Sequence, residues 1–332
     1  MPTRFTSKPK SKLSKNLKIG VLLGGDSAER KISLRSGRAI RQALRRLGFC
    51  TVDVDPRKKD ECRTRLRKVD LAFIALHGKG GEDGTIQRYL DNRRIPYVGS
   101  DAAGSARAFN KLKAKRIFQQ NGVPTPEYTV ITPSNWKEVL QDFPAPFFVK
   151  PLCDGSSIGV FPVEDLSESA ENITDALKKY GELLVEKKIR GREFTVGILG
   201  FKALPVIELK PKRPFFDYCA KYTSGMTDYL IPAPIPTKLA VRLQKIALRA
   251  HRCLKLRDFS RVDMMADSEN HPYVLEVNSI PGFTEMSLLP KAARAAGISF
   301  EQLCHRLVFQ ALQRTRKVFN PKGSTNHGRQ TT

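Results

Sequence analysis

Apolar segments of strand length alternate with amphipathic helical segments over the first hundred residues of this 332-residue chain. The run LKIGVLLGG (17–25) predicts a buried strand that ends in two glycines. Residues 33–48 repeat their apolar side chains at helical spacing and stop at Gly48. Further strands are predicted in CTVDVD and at 69–78, and a further helix in EDGTIQRYLDNRR. This alternation predicts a parallel sheet with functional residues at the carboxyl ends of its strands.

The sequence after residue 123 has a different pattern. Short β-like segments follow one another with few helices between them, namely PFFVKP, VFPV, LLVEKKI, EFTVGIL and ALPVIEL. They predict a small, largely antiparallel sheet over 124–210. Residues 211–236 are rich in Pro, Tyr, Gly and Thr, which predicts a long mobile loop. A helix at 237–256, the strands RVDMM and YVLEVN, and two C-terminal helices complete the predicted elements.

Composition excludes several classes of protein. Hydrophobic residues at 40% and charged residues at 27% are typical of a soluble globular chain. No run of about 18 apolar residues exists, and the N-terminus lacks a signal-peptide core, so no membrane segment is expected. The six cysteines are scattered without a C-x-x-C pair. This pattern favours reduced thiols in a cytoplasm over a zinc site or a disulfide framework.

The net charge of +25 is concentrated partly at the two ends of the chain. Residues 1–18 hold six Lys and Arg and no acid, and residues 314–332 hold five more and no acid. The first interpretation is a pair of disordered, solvated arms. The alternatives are a weak, salt-sensitive attraction to nucleic acid or anionic surfaces and, for the first arm, an organelle transit peptide.

Two β-like runs, 261–266 and 273–278, are joined by the polar segment DSENH, which predicts a hairpin. If its register is symmetric about residues 269 and 270, Asp263 faces Glu276 and Arg261 faces Asn278. Two carboxylates and an amide oxygen would repel one another unless a cation lies between them. Hard oxygen ligands suit Mg²⁺, and an adjacent arginine suits phosphate. An ordinary surface hairpin is the alternative.

Three further positions carry candidate chemistry. The turn DGSSIG (154–159) follows the strand FFVKP and offers closely spaced N–H groups to an anion, with Lys150 beside it. Glu29 begins the first helix and could anchor an ammonium group, or simply interact with the helix dipole. His77 ends an apolar strand, where a structural role is the alternative to a catalytic one. Each of these signals is weak by itself.

Six motifs in one chain and in one order change that assessment: GGDSAERKISLRSG, ALHGKGGEDGTIQ, VKPLCDGSSIGV, VEKKIRGREFTV, DYCAKY and LEVNSIPGFTEMS. Together they resemble the D-alanine–D-alanine ligase family of the ATP-grasp superfamily, over about residues 17–312. The resemblance implies a mixed α/β (α+β) chain with an N-terminal parallel α/β domain, a central β-rich domain and a C-terminal α+β domain. The expected divisions are a basic disordered arm at 1–16, domains at 17–123, 124–210 and 211–317, and a basic tail at 318–332.

The resemblance also implies an activity. Such ligases phosphorylate a D-alanine carboxylate with ATP and join the acylphosphate to a second D-alanine, giving D-alanyl-D-alanine for peptidoglycan and hence cell-wall synthesis in the cytoplasm. ATP and two Mg²⁺ or Mn²⁺ ions are the implied cofactors, and a homodimer is the implied assembly. A related ligase with another second substrate, such as D-lactate, and a basic nucleic-acid-binding protein are the alternatives.

Site residues follow from the matching positions. The implied nucleotide-binding residues are Lys111, Lys150, Glu186, Lys187, Ile189, Glu193 and Lys221. The implied metal ligands are Asp263, Glu276 and Asn278. The implied substrate contacts are Glu29, His77, Gly282 and Ser287, and the implied catalytic residues are Glu29, Ser156, Tyr222, Arg261 and Ser287.

Among these residues, Glu29, Ser156 and Tyr222 would form a hydrogen-bonded triad that closes the mobile loop over the substrates. Tyr222 favours a dipeptide product. Cys219, Glu285 and Met286 depart from the pattern of many relatives and bear on the second substrate.

Overall fold

The computed structural model describes residues 17–212, 223 and 225–319. The strands in this part of the chain form three sheets, and each sheet buries apolar side chains against helices. Residues 1–16 and 320–332 of the predicted arms lie outside the described residues, as do residues 213–222 and 224 of the predicted mobile loop, which include Lys221 and Tyr222. The loop prediction is wrong for Thr227–Leu230, which form a strand.

The first sheet is parallel, as the alternating pattern predicts. Its strands are β1 (Lys18–Leu22), β2 (Cys50–Val54), β3 (Leu71–Ile74) and β4 (Tyr97–Val98), in the order β2-β1-β3-β4. Helix α1 (Arg30–Arg46) packs on one face, and helices α2 (Lys59–Leu66) and α3 (Thr85–Asp91) pack on the other. The strand order reverses between β1 and β3, and open α/β sheets bind ligands at such a point.

Two helices lead from the first sheet to the second. Helix α4 (Ala102–Phe109) begins where Asp101 accepts a hydrogen bond from the Gly104 amide at 2.7 Å. Helix α5 (Lys111–Gln120) begins where Asn110 accepts one from the Lys113 amide at 2.9 Å. Because Asn110 has the extended backbone of an N-cap, it ends one helix and starts the next.

The second sheet is antiparallel and runs in the order β5-β8-β6-β7. Its strands are β5 (Tyr128–Ile131), β6 (Phe147–Pro151), β7 (Phe161–Val163) and β8 (Leu183–Lys187). Helices α6 (Trp136–Gln141) and α7 (Leu166–Tyr180) cover one face. Phe147, Val149 and Ile173 are buried between them, so the opposite face is left to form the wall of a cavity.

The third sheet has the order β12-β11-β9-β13-β14, with β10 paired to β9. Its strands are β9 (Gly191–Leu199), β10 (Lys202–Ala203), β11 (Ile207–Pro211), β12 (Thr227–Leu230), β13 (Phe259–Asp267) and β14 (Pro272–Asn278). Helices α8 (Thr237–Cys253), α9 (Leu288–Ala295) and α10 (Phe300–Phe319) follow the strands β12 and β14 in the chain and pack against this sheet or against α1.

The segments EFTVGIL and ALPVIEL differ from expectation, because they belong to this third sheet and not to the small second one. Strand β9 pairs with β13 from Phe259↔Leu199 to Asp267↔Gly191. The close approach requires glycine at 191, where a Cβ atom would lie 1.9 Å from the carbonyl oxygen of Ala266. The proposed domain division at residue 210 therefore falls inside β11, whereas the sheets change between β8 and β9.

Asp258 joins the first sheet to the third. Its buried carboxylate accepts the Gly99 amide at 2.8 Å and forms an ion pair with Arg314 of α10. The Arg257 side chain donates to the Gly99 carbonyl oxygen at 2.8 Å. These contacts hold the carboxyl edge of the parallel sheet beside the third sheet.

Candidate active site

A cavity of about 520 Å³ separates the second and third sheets. Every predicted nucleotide-binding residue in the described part of the chain lines it: Lys111, Lys150, Glu186, Lys187, Ile189 and Glu193. Asp263 and Glu276 of the predicted metal hairpin also line it. The segment between β8 and β9 forms the strip that connects the two walls, so the cavity arises from the change of sheet at residues 187–191.

Glu186 is the most enclosed charge in this cavity. It is 1% exposed and forms ion pairs with Lys150 of β6 and Lys115 of α5. Burial alone would raise the pKa of Glu186, but the two ammonium groups hold it below its ordinary value. Glu186 is therefore a buried carboxylate that stays charged.

The Gly/Ser-rich turn lies at the end of β6, where Lys111 fixes it. The Lys111 ammonium donates to the Asp154 carbonyl oxygen at 2.5 Å, and its amide donates to the Leu152 carbonyl oxygen at 2.9 Å. Ser156 and Ser157 have φ values of 54° and 58°, which place two successive serines in the left-handed region. Backbone strain of this kind occurs preferentially at ligand-binding loops.

The hairpin β13–β14 has the predicted register, with Asp263 opposite Glu276 and Arg261 opposite Asn278. The guanidinium of Arg261 donates to both Asp263 oxygens, at 2.8 and 2.7 Å. Asp263 also accepts from the Asn278 amide at 3.0 Å and from the Thr195 hydroxyl at 2.6 Å. Asp263 is 6% exposed, whereas an ordinary surface hairpin would leave it open to solvent.

The residues of this hairpin fit a divalent cation by the chemistry of their donors. Among the described residues, no three His, Cys, Asp or Glu side chains are grouped to hold a metal ion. The predicted set has two carboxylates, Asp263 and Glu276, and takes its third oxygen from the Asn278 amide. Carboxylate and amide oxygens suit Mg²⁺ or Mn²⁺, which usually complete their coordination with water and substrate phosphates.

Glu29 lies at the carboxyl edge of the parallel sheet and is 7% exposed. The Ser156 hydroxyl donates to its carboxylate across 127 residues of sequence. Two glycines let the backbone approach this carboxylate, since a Cβ atom on Gly78 or Gly155 would lie 2.7 Å from Oε2. The predicted contact between Glu29 and the Gly/Ser-rich turn is therefore present, and its third member, Tyr222, lies outside the described residues.

His77 joins the same edge to the Pro-Gly segment that follows β14. Its Nε2 lies 3.1 Å from the Ser36 hydroxyl and its Nδ1 lies 3.0 Å from the Ile280 carbonyl oxygen. The Phe283 amide donates to the same Ser36 hydroxyl at 3.1 Å. His77 is 4% exposed, so its position is set by contacts on both ring nitrogens.

Ser287 and Gly282 lie together beyond this segment. The Ser287 hydroxyl accepts the Thr284 amide at 3.0 Å, and a Cβ atom on Gly282 would lie 3.2 Å from Ser287 Oγ. Met286 beside them is 69% exposed. The cluster formed by Glu29, His77, Ser156, Gly282 and Ser287 is called the substrate cluster below.

Two features of this region were not predicted from the sequence. Glu82 is 12% exposed and lies 3.5 Å from His77. Burial raises the pKa of Glu82, with a further contribution from the nearby charge of Glu29, although His77 acts in the opposite direction. A second cavity of about 420 Å³ lies beside Gly24, Gly25 and His77, where the strand order of the parallel sheet reverses.

Three further residues of this region were not predicted from the sequence: Lys115, Arg192 and Glu208. Arg192 and Glu208 line the cavity between the second and third sheets and form a two-point ion pair at 2.8 and 2.7 Å. Lys115 lies one helical turn after Lys111, and this spacing could have indicated that both lysines face the same side of α5. The pairing of β9 with β11 places Arg192 near Glu208, which no local pattern indicates.

Comparisons with known proteins agree with this geometry. Residues 50–100 match the family model "D-ala D-ala ligase N-terminus", and residues 117–309 match "D-ala D-ala ligase C-terminus". The chain is 44% identical to the D-alanine–D-alanine ligase of Geotalea uraniireducens, over 90% of this chain and 96% of that protein. It is 43% identical to the corresponding ligase of Aquifex aeolicus, over 86% of this chain and 98% of that protein.

Solved structures give the same result. The D-alanine–D-alanine ligase of Bacillus anthracis, complexed with ATP, superposes with a TM-score of 0.81 at 32% identity, over 91% of this chain and 99% of that one. The VanG D-Ala:D-Ser ligase of Enterococcus faecalis superposes with a TM-score of 0.78 at 28% identity, over 89% and 99%. The expected ATP-grasp fold class is confirmed.

Proposed function

Because the chain belongs to the D-alanine–D-alanine ligase family, we propose that it uses ATP to join two D-alanine molecules into D-alanyl-D-alanine for peptidoglycan synthesis. One observation carries the proposal. The cavity between the second and third sheets is lined by all the described nucleotide-binding residues that the family resemblance implies, together with both carboxylates of the hairpin. A nucleotide in this cavity would have its phosphates near those carboxylates and the lysines.

In this proposal, different residues of the cavity contact the phosphates, the base and the ribose of ATP. Lys111 and Lys150 bind phosphate oxygens, and Lys221 of the loop joins them when the loop closes. Glu186, Lys187 and Ile189 contact the adenine base, and Glu193 accepts the ribose hydroxyls. Phosphoryl transfer depends mainly on positioning and charge neutralisation, which these side chains can provide.

The hairpin is proposed to hold the metal and to stabilise the charge of the reacting groups. Asp263, Glu276 and Asn278 would hold Mg²⁺ or Mn²⁺, expected as two ions, and the metal supplies charge neutralisation for the phosphate oxygens. Arg261 is fixed by its two hydrogen bonds to Asp263. Its guanidinium is therefore oriented before the negative charge of the tetrahedral intermediate develops, and the backbone at Gly282 assists it.

The substrate cluster orients the two amino acids. Glu29 binds the ammonium group of the first D-alanine, with His77 beside that substrate, and Ser287 binds the carboxylate of the second. The hydrogen bond from Ser156 to Glu29 brings the Gly/Ser-rich turn to the parallel sheet. With Tyr222 from the loop, this contact would exclude water from the acylphosphate.

The wider context is proposed on the resemblance alone. It comprises three domains, a homodimer and a cytoplasmic location, with the division between the second and third domains placed between β8 and β9 and not at residue 210. Five described cysteines are unpaired, and none of the described helices could cross a membrane. Weak nucleic-acid contact through the basic arms remains a prediction.

ADP release tests the proposed reaction. We expect the purified protein with ATP and Mg²⁺ to release ADP only when D-alanine is added, and to form the dipeptide detected by mass spectrometry. L-alanine and an assay without amino acid serve as controls, and D-lactate tests the alternative second substrate. ADP release that is independent of D-alanine would contradict the proposal.

A further inference from the structure

Lys115 is a buried lysine that the proposed mechanism leaves without a role. Burial lowers the pKa of its side chain, and the charge of Glu186 acts in the opposite direction. It lies on α5, is 1% exposed, and is enclosed between the second sheet and strand β14 of the third. Lysine is almost never buried without a partner, because removing its charge from water is costly. The contacts of Lys115 therefore indicate what it stabilises.

Those contacts connect the two walls of the nucleotide cavity. Lys115 forms an ion pair with Glu186 and donates to the Thr125 hydroxyl at 2.6 Å. Thr125 in turn donates to the Val274 carbonyl oxygen of β14 at 2.8 Å. A single chain of polar contacts thus runs from the hairpin strand to the carboxylate of β8.

The two lysines that contact Glu186 differ in what else they can reach. Lys150 lines the nucleotide cavity, and 13% of its side chain is exposed there. Lys115 does not line the cavity and has 1% of its side chain exposed. Only Lys150 can therefore turn toward a ligand, and Glu186 would then keep Lys115 as its buried counter-charge.

Loss of that counter-charge would be costly. A buried carboxylate without a partner is strongly destabilised, so it takes up a proton or moves toward water. Either response would change the group that Glu186 presents to the nucleotide base. Lys115 prevents both responses without occupying any of the cavity.

We propose that Lys115 is a positioning residue for nucleotide recognition, an inference that rests on the proposed ATP-dependent function. It holds the Glu186 carboxylate charged and directed at the base, and so frees Lys150 to bind the phosphates. The base that this arrangement selects is one that donates a hydrogen bond to Glu186, such as the 6-amino group of adenine. A base with a carbonyl oxygen at that position would meet an acceptor with an acceptor.

The test compares K115M with K113M, which removes the exposed lysine two residues earlier on α5. Dissociation constants for ATP and for inosine triphosphate are measured with Mg²⁺ by calorimetry, without D-alanine. We expect K115M to weaken ATP binding by about tenfold or more and to lower the preference for ATP over inosine triphosphate by a similar factor. K113M should stay within about twofold of the unmodified protein. A K115M protein that keeps its preference for ATP would overturn the proposal.

A second comparison remains decisive if K115M fails to fold. E186Q removes the charge that Lys115 is proposed to stabilise, so E186Q and K115M/E186Q should bind ATP within about twofold of each other. A further loss of about fivefold or more in the double variant would show that Lys115 acts independently of Glu186, contrary to the proposal. Because binding is measured without turnover, failure of the ligase reaction would be seen separately in the ADP-release assay.

Discussion

The nucleotide cavity and the substrate cluster differ in how closely their charged side chains are paired. In the cavity, charged groups lie against charged groups: Glu186 contacts two lysines, and Asp263 contacts Arg261 at two points. In the substrate cluster, Glu29 accepts a hydrogen bond from a serine hydroxyl, and His77 contacts a hydroxyl and a carbonyl oxygen, with Glu82 at 3.5 Å.

This difference agrees with what each region is proposed to bind. A nucleotide with its metal brings many charges, so the cavity needs groups that are ionised and fixed beforehand. D-alanine brings one ammonium and one carboxylate group, and the nearby charge of Glu29 contributes to the raised pKa of Glu82. We therefore expect the largest losses of activity from substitutions that remove a charge in the cavity. Substitutions that remove a hydrogen bond in the substrate cluster should lower kcat/KM for D-alanine and leave ATP binding unchanged.

The largest effect is expected for Glu276→Gln, which keeps the size of the side chain and removes its charge. ADP release should fall by about 100-fold or more, because the variant loses charge stabilisation at the phosphates. The melting temperature should change little, since Glu276 is only partly buried on the cavity wall. Glu269→Gln, at the exposed turn of the same hairpin, is the matched control. A Glu276→Gln enzyme with more than a tenth of the original rate would remove this residue from the metal site.

An intermediate effect is expected for Ser156→Ala, which deletes the hydrogen bond to Glu29. Hydrogen bonds to charged groups contribute about 1.5–3 kcal/mol, so kcat/KM for D-alanine should fall by about 10–100-fold. The dissociation constant for ATP should not change. Ser156→Gly relaxes the left-handed backbone but also lacks the hydroxyl, so it should show the same loss. If glycine restored activity, backbone strain and not the hydrogen bond would explain the alanine result.

Much of this architecture follows from local sequence pattern. The hairpin predicted from two β-like runs and a short polar turn is present, and the predicted pairs Arg261↔Asn278 and Asp263↔Glu276 are observed. The register shifts between Asp263 and Met264, so the hairpin is not symmetric along its whole length. The alternation of strands and helices correctly predicts the parallel sheet. Local pattern succeeds here because each feature depends on residues that are close in the chain.

The remainder depends on pairings between distant segments. Strand β9 pairs with β13, which lies about 60 residues further along the chain, and no local pattern near β9 indicates this partner. The contact between Ser156 and Glu29 was inferred from the family resemblance alone. Lys115 was missed because a lysine in a helix is usually exposed, and only the packing of two sheets buries it.

The smallest expected effect concerns stability in the substrate cluster, through Glu82→Gln. Burial raises the pKa of Glu82, so the folded protein holds a proton that the unfolded chain releases. The stability that Glu82 contributes is therefore greatest at low pH and is lost as the pH rises through its folded pKa. Glu82→Gln should raise the free energy of unfolding by about 1 kcal/mol near pH 8, within the usual range for single substitutions, and by less near pH 5.

Urea unfolding of Glu82→Gln at the two pH values measures this difference, with Glu171→Gln on the exposed face of α7 as the matched control. An equal gain at both values would mean that Glu82 is already ionised throughout this range. Glu82 would then carry a buried charge beside Glu29 at both pH values, so the expected difference between the two measurements would be absent.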